Sequence, residues 1–389
     1  MREILFQEVD QLYDEMVEMR RYLHQYPELS FQEFKTAAFI QDQYKLLNIP
    51  YQANLGGNGV VATLQGAKPG KTVALRADFD GLPIQDEKTV TYKSRIHGVM
   101  HACGHDGHTT TLLAVAKVLK KYQHELAGTV VFIHQHAEEL APGGAQPMIK
   151  DGALDNVDVV YGTHLWTNTP YGIVQTAPNN FMAAADKFTI KIQGKGGHGG
   201  MPHQTKDPIV VGSQLVTNLQ QIISRRIDPL DTAVLSIGSF HAGNAYNVIP
   251  DSTTIEGTVR TFDQNMQQFM IDELTKIIKG TCMTYDVDYQ FDYAKGYQPV
   301  VNHPEHAEKI LKAAESVEEV ERAEMVEPSM TSEDFAYYLQ EKPGAFFFTG
   351  AQIDNGFVPH HHPLFDFDER AMKIAAKTLI AATWNVNNL

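Results

Sequence analysis

Thr72-Val-Ala-Leu-Arg76, Thr129-Val-Val-Phe-Ile133 and Val157-Asp-Val-Val-Tyr161 are short apolar runs separated by helical or turn-rich stretches. Runs this rich in Val, with few polar residues alternating between the apolar ones, read as strands buried on both faces, the pattern of an α/β sheet covered by helices. Ala345-Phe-Phe-Phe-Thr349 reads as a later strand of the same kind, and Ala371 to Trp384 as a closing helix, so the α/β unit resumes late in the chain. At the start, Leu12, Met16, Met19 and Leu23 fall at three- and four-residue spacing, which predicts an amphipathic helix ending before Pro27.

Between these parts the texture changes. The pattern predicts strand Lys187 to Gln193, helix Pro208 to Ser224, strands Ala233 to Phe240 and Thr253 to Thr261, helix Gln264 to Lys279, and strand Thr284 to Phe291. The order β-α-β-β-α-β is the ferredoxin-like split unit, with an antiparallel sheet. The expected organisation is therefore an α/β domain of residues 1–178 and 294–389, interrupted by an α+β domain of residues 179–293.

Composition narrows the function. In 389 residues, 32 Lys and Arg face 47 Asp and Glu, a formal charge of -15, which disfavours nucleic acid and anionic membranes as partners. No apolar run approaches the roughly 18 residues of a membrane span. The segment Met1 to Met19 is acidic where an export signal is basic and then apolar. Two cysteines, Cys103 and Cys282, are too few for a disulfide framework and fit a reducing cytoplasm.

The chemistry gathers in His101-Ala-Cys-Gly-His-Asp-Gly-His108, directly before the helical run Thr109 to Tyr122. Imidazole and thiolate donors suit zinc or a neighbouring first-row metal. A helix N-terminus is expected to help hold Cys103 as thiolate. A thiol-protease nucleophile is the weaker reading, because neither flank of Cys103 carries such a signature. The run Thr129 to His136 ends in Ala137-Glu138-Glu139. Adjacent carboxylates in extended chain point to opposite faces, so both reach one site only if a turn follows, for which Ala141-Pro-Gly-Gly144 offers residues. One could then bind metal while the other takes a proton from water. His164 follows Val157 to Tyr161, and His360, His361 and His362 follow the Phe346 to Phe348 run. All are thus expected near the C-terminal strand ends, where open α/β sheets build sites.

Together these residues resemble the metal-dependent amidohydrolases that include aminoacylases, hippurate hydrolases, N-acetyl-diaminopimelate deacetylases and auxin-conjugate hydrolases. The likeness spans essentially the whole chain. It rests on Arg21-Tyr-Leu-His-Gln-Tyr-Pro-Glu28, Leu75-Arg-Ala-Asp-Phe-Asp-Gly-Leu-Pro83, Met100 to His108, Ala137-Glu-Glu139, Gly194-Lys-Gly-Gly-His-Gly-Gly200 with His203, Asn247-Val-Ile-Pro250, Thr331-Ser-Glu-Asp334 and His361-His-Pro-Leu-Phe-Asp-Phe-Asp-Glu369.

The resemblance implies a zinc-peptidase-like catalytic domain with a central mixed sheet, and an inserted ferredoxin-like dimerisation or lid domain. It implies two divalent metal ions per subunit, Zn, Mn, Co or Ni. Cys103 would bridge them, with His105 and His164 completing one site and Glu139 and His361 the other. Glu138 resembles the general base, and Asp78 the carboxylate that orients a ligand in more distant dinuclear-zinc relatives. Where those relatives have a ligating His, this chain has Arg76, which leaves the ligand role to His105. His198 is similar to a residue that reaches the partner subunit's active site, and Asn247 and Arg260 to groups that hold a substrate carboxylate. The activity implied is hydrolysis of an amide bond in an N-acyl amino acid or small peptide-like substrate, by a homodimer or a tetramer. An aminopeptidase would need an acidic group for the substrate ammonium, which the sequence does not locate. A binding protein without turnover would have no need of Glu138.

Overall fold

The computed structural model describes residues 1–354 and 356–388. The chain separates into two compact units. The first is Met1–Phe181, Val300–Pro328 and Asp334–Leu389; the second is Met182–Pro299 with Ser329–Glu333. The second unit runs past the expected residue 293 because its last strand, Asp288–Tyr297, continues there.

The first unit is built on an eight-stranded mixed sheet. In spatial order its strands are Tyr51–Leu55, Gly59–Gln65, Ala127–Gln135, Lys68–Asp78, Val159–Pro170, Gly344–Gln352, Ile173–Thr176 and Arg322–Met325. The apolar runs form its parallel centre: Lys68–Asp78 pairs in parallel with both Ala127–Gln135 and Val159–Pro170, and Gly344–Gln352 in parallel with Val159–Pro170. Val73, Leu75, Val130, Phe132, Tyr161 and Phe347 are buried in the core they share with the helices. Helix His105–Lys121 contributes Leu112, Val115 and Leu119 to that core, and Ala371–Asn388 contributes Ile374, Leu379 and Ile380. Because the four central strands are parallel, their C-terminal ends lie along one edge, and the chain leaves that edge through Asp80 and Glu138.

Several boundaries differ from expectation. The opening stretch is two helices, Arg2–Gln11 and Tyr13–Gln25. The third apolar run opens a strand more than twice as long as expected, so His164 lies inside Val159–Pro170 instead of following it. Parallel pairing with Gly344–Gln352 extends that strand, with Phe348 opposite His164.

The second unit carries a four-stranded antiparallel sheet in the order Ala233–Ala242, Ser252–Thr261, Ala184–Gln193 and Asp288–Tyr297. In chain order this is 2-3-1-4, the ferredoxin-like arrangement. Helices Pro208–Gln221 and Gln264–Thr284 bury Val211, Leu215, Leu219, Met270, Leu274 and Ile278 against Phe188, Ile190 and Ile255. Asp207 and Asp263 cap the two helices by accepting amide hydrogens of their first turns. The second helix continues through Thr284, where the sequence suggested a strand beginning. Among the described residues, no helix is long and apolar enough to cross a membrane.

Candidate metal centre

Strand Lys68–Asp78 delivers Arg76 and Asp78 to one face by its two-residue alternation. Asp80 follows just beyond the strand. Asp80 is buried and accepts from Ser30 Oγ at 2.7 Å, from the Glu139 amide at 3.0 Å and from His105 Nδ1 at 3.0 Å. Asp78 was expected to orient a ligand, but its Oδ1 lies 3.8 Å from His105 Nδ1 and only 2.6 Å from His108 Nδ1, while its other oxygen takes Arg76 at 2.6 Å. The ring of His108 is fully engaged, since its Nε2 accepts the Leu165 amide at 2.9 Å. The carboxylate that hydrogen-bonds and orients His105 is therefore Asp80, which the sequence reading did not single out.

Helix His105–Lys121 begins four residues earlier than expected, with Gly104 at φ 98° ahead of it. This places Cys103 and His105 on either side of a glycine that takes the left-handed conformation. Cys103 Sγ is 3.4 Å from His164 Nε2. The His164 Nδ1 hydrogen is held by Leu165 O at 3.0 Å, which leaves Nε2 as the free donor atom.

The Glu138–Glu139 pair is presented by a reversal that the sequence did not announce. Ala137, a non-glycine residue, sits at φ 53°. The chain thus bends before the pair and turns again after it at the expected Ala141-Pro142, where the Gly143 amide donates to Leu140 O at 3.0 Å and the Gly144 amide to Ala137 O at 3.1 Å. The Ala137 amide donates to Glu33 Oε1 at 2.8 Å. Both carboxylates then face His105 Nε2, at 3.9 Å for Glu138 Oε2 and 3.7 Å for Glu139 Oε1.

Of the three consecutive histidines, His361 turns toward this cluster. Its Nε2 lies 3.3 Å from Glu139 Oε2, and its amide donates to Ala102 O at 2.8 Å with φ at 63°. His360 packs between other groups: its ring stacks on Trp166 at 4.6 Å, its Nε2 accepts the Thr167 amide at 3.2 Å and its Nδ1 lies 3.8 Å from Cys103 Sγ. His362 Nδ1 accepts the Leu364 amide.

Of the five groups of potential ligand atoms among the described residues, two meet at Cys103, one with His105 and His164 and one with Glu139 and His361, each within 4.8 Å internally. His105 Nε2 and Glu139 Oε1 are buried without a hydrogen-bond partner. A separation of 3.7 Å is too long for their own bond yet close to twice a metal–ligand distance of about 2 Å. The electrostatics agree. Burial opposes charge on His105, but the carboxylates of Asp78 and Asp80 outweigh it and raise its pKa to about 10. The expected thiolate at Cys103 does not follow from the helix end: burial, then Glu139, Glu138 and Asp78, push the thiol well up. Buried imidazole, thiol and carboxylates with orphaned donor atoms and an excess of negative charge fit a divalent cation.

In the second unit, His198 lies in the two-residue strand Gly197–His198, exposed and paired with Val248. The Gly199 amide donates to Asn247 O at 2.9 Å, so His198 and Asn247 belong to one local structure. Arg260 lies in strand Ser252–Thr261 and donates to Thr258 Oγ1 and to Val259 O.

Residues 74–385 match the sequence profile described as Peptidase family M20/M25/M40. YhaA of Bacillus subtilis (strain 168) is 53% identical over 384 residues, 98% of this chain and 97% of that one. An N-acyl-L-amino acid amidohydrolase of Geobacillus stearothermophilus is 47% identical over 297 residues, 76% of this chain and 80% of its own. Among solved structures, a dinuclear metal binding peptidase of the M20 family from Bacillus subtilis aligns at a TM-score of 0.83 and 33% identity, covering 97% of this chain and 98% of that one.

Proposed function

This chain belongs to peptidase family M20/M25/M40 and is an amide-bond hydrolase, and we propose that it acts on N-acyl-L-amino acids or small peptide-like molecules with a free carboxylate. The observation that carries this reading is the pair of donor sets joined at Cys103, with Glu138 beside them. The dinuclear relative and the Geobacillus N-acyl-L-amino acid amidohydrolase support it. Thiolate, imidazole and carboxylate donors together suit Zn, Mn, Co or Ni.

Cys103, His105, His164, Glu139 and His361 would hold the divalent cations, which would supply Lewis acidity toward an amide carbonyl and toward water. Glu138 takes the proton from the attacking water and returns it to the departing amine. Asp80 fixes the His105 tautomer so that Nε2 faces the donor cluster. His198 stabilises the oxyanion, and Asn247 and Arg260 hold the substrate carboxylate, Arg260 through its planar fork. Cys103 forms no acyl intermediate.

The same reading gives a cytoplasmic homodimer in which His198 of one subunit serves the other. Two buried, unpaired cysteines suit a reducing compartment, and cell fractionation tests it. The exposed edges of the second unit's sheet suit self-pairing. Mixing His198→Ala with Glu138→Gln subunits restores activity if sites are shared; subunit exchange without recovery contradicts sharing. The substrate class is tested by amine release from N-acetyl and N-benzoyl amino acids and dipeptides on the metal-loaded enzyme. Release from none of them would remove the proposal.

A further inference from the structure

Glu33 stands outside every motif that points to the metal centre, yet it is fully buried. It precedes helix Phe34–Leu46 at the N-cap position, where an acidic side chain ordinarily accepts an amide of the first helical turn. Here it makes no such bond. The task falls to Glu28, whose Oε2 accepts from the Lys35 amide at 2.9 Å, the Thr36 amide at 2.8 Å and Thr36 Oγ1 at 3.0 Å.

The Glu33 carboxyl is directed elsewhere. Its Oε1 accepts the Ala137 amide at 2.8 Å and its Oε2 accepts Asn58 Nδ2 at 2.9 Å. Both donors are neutral, so burial of this carboxyl is only partly offset, and its pKa rises to about 7. A buried acid in so poorly compensated a setting is expensive unless its hydrogen bonds matter. The amide it holds belongs to the one left-handed residue between the strand Ala127–Gln135 and Glu138. A left-handed alanine is unfavourable by itself and persists only where surroundings fix it. The Gly144 amide, donating to Ala137 O at 3.1 Å, and Asp80, which accepts the Glu139 amide, grip the turn at its other points.

We propose that Glu33 is a positioning residue for amide hydrolysis: by accepting the Ala137 amide it holds the reversal that aims Glu138 at the reacting water. Because Asp80 independently anchors Glu139, loss of Glu33 displaces Glu138 more than the metal-facing Glu139. The inference rests on the reading of Glu138 as general base.

Glu33→Leu puts an apolar side chain of comparable volume in its place and removes the acceptor, whereas Glu33→Gln keeps an acceptor oxygen and removes the charge. Each is compared with Glu138→Gln for kcat, KM, metal content and thermal midpoint on one N-acyl amino acid, at a temperature where all are folded. Glu33→Leu should lose about 10-fold or more in kcat, with KM within about 3-fold and metal content unchanged, a loss on the scale of general-base misplacement. Glu33→Gln should recover to within about 3-fold of wild type, which a purely structural role for the charge would not give. Wild-type kcat in Glu33→Leu, or an equal loss in both variants, overturns the inference. If Glu33→Leu does not fold, Glu33→Asp withdraws the same carboxyl by one methylene, and an unchanged kcat there overturns it equally. An active Glu138→Gln would instead sink the base assignment itself, and the two failures are separable.

Discussion

His105 donates its Nδ1 hydrogen to Asp80 Oδ1 at 3.0 Å. The imidazole is thereby set with Nε2 toward Glu138 and Glu139, and the same carboxylate fixes the Glu139 amide. One side chain orients donors from a helix and from a strand end. Asp80→Ala is expected to lower metal affinity about 10- to 100-fold, measured by competition with a fluorescent chelator. Affinity within about 2-fold of wild type would show that His105 and Glu139 hold their positions unaided.

Arg260→Ala should raise KM for substrates with a free carboxylate by about 10-fold or more and leave their methyl esters little changed, because the fork recognises a charged planar group. Steady-state kinetics on matched acid and ester pairs decide the matter. Equal penalties on both would remove Arg260 from carboxylate recognition.

Acid sensitivity should trace to a buried network behind the helix that carries His105. Arg20, fully buried, donates to Asp106 at 2.9 Å, Asp366 at 2.8 Å and Glu369 at 3.1 Å. Burial alone would raise the Asp366 pKa, but Arg20 and Lys88 hold it down to about 2, against roughly 3.9 in an unfolded chain. The folded value is the lower one, so the stabilisation is present above about pH 4 and is lost as pH falls toward 2, an effect of about 2.6 kcal/mol at most. Asp366→Asn should therefore be less stable than wild type at neutral pH and should lose less further stability between pH 5 and pH 3. Urea midpoints across that range test it; parallel declines would assign the acid sensitivity elsewhere.

How far the sequence reached depended on the range of the interaction. Val73, Val130 and Phe132 announce buried strands because burial on both faces imposes consecutive apolar residues. The β-α-β-β-α-β order was readable because each helix of that unit has its own amphipathic stripe. Strands Ile173–Thr176 and Arg322–Met325 span four residues each, too few to show a period, and the edge strand Tyr51–Leu55 is half polar. In the site, the gathering of candidate donor residues was legible from their density, but supporting contacts were not. Asp78 and Asp80 are indistinguishable on paper, and only the place of His105 selects between them. Glu33 finds its partner 104 residues away. The raised thiol pKa at Cys103 depends on burial and then on Glu139, Glu138 and Asp78, which tertiary folding alone brings near.

The central claim is that Cys103 joins two metal sites. Elemental analysis of protein loaded with a divalent cation and freed of excess, for wild type and Cys103→Ser, tests this most directly. A bridging thiolate predicts two equivalents per chain in the wild type and fewer than one in the variant, since a neutral hydroxyl replaces the shared ligand. Equal stoichiometry in the two proteins would contradict the account, because Cys103 would then be a bystander to the metal.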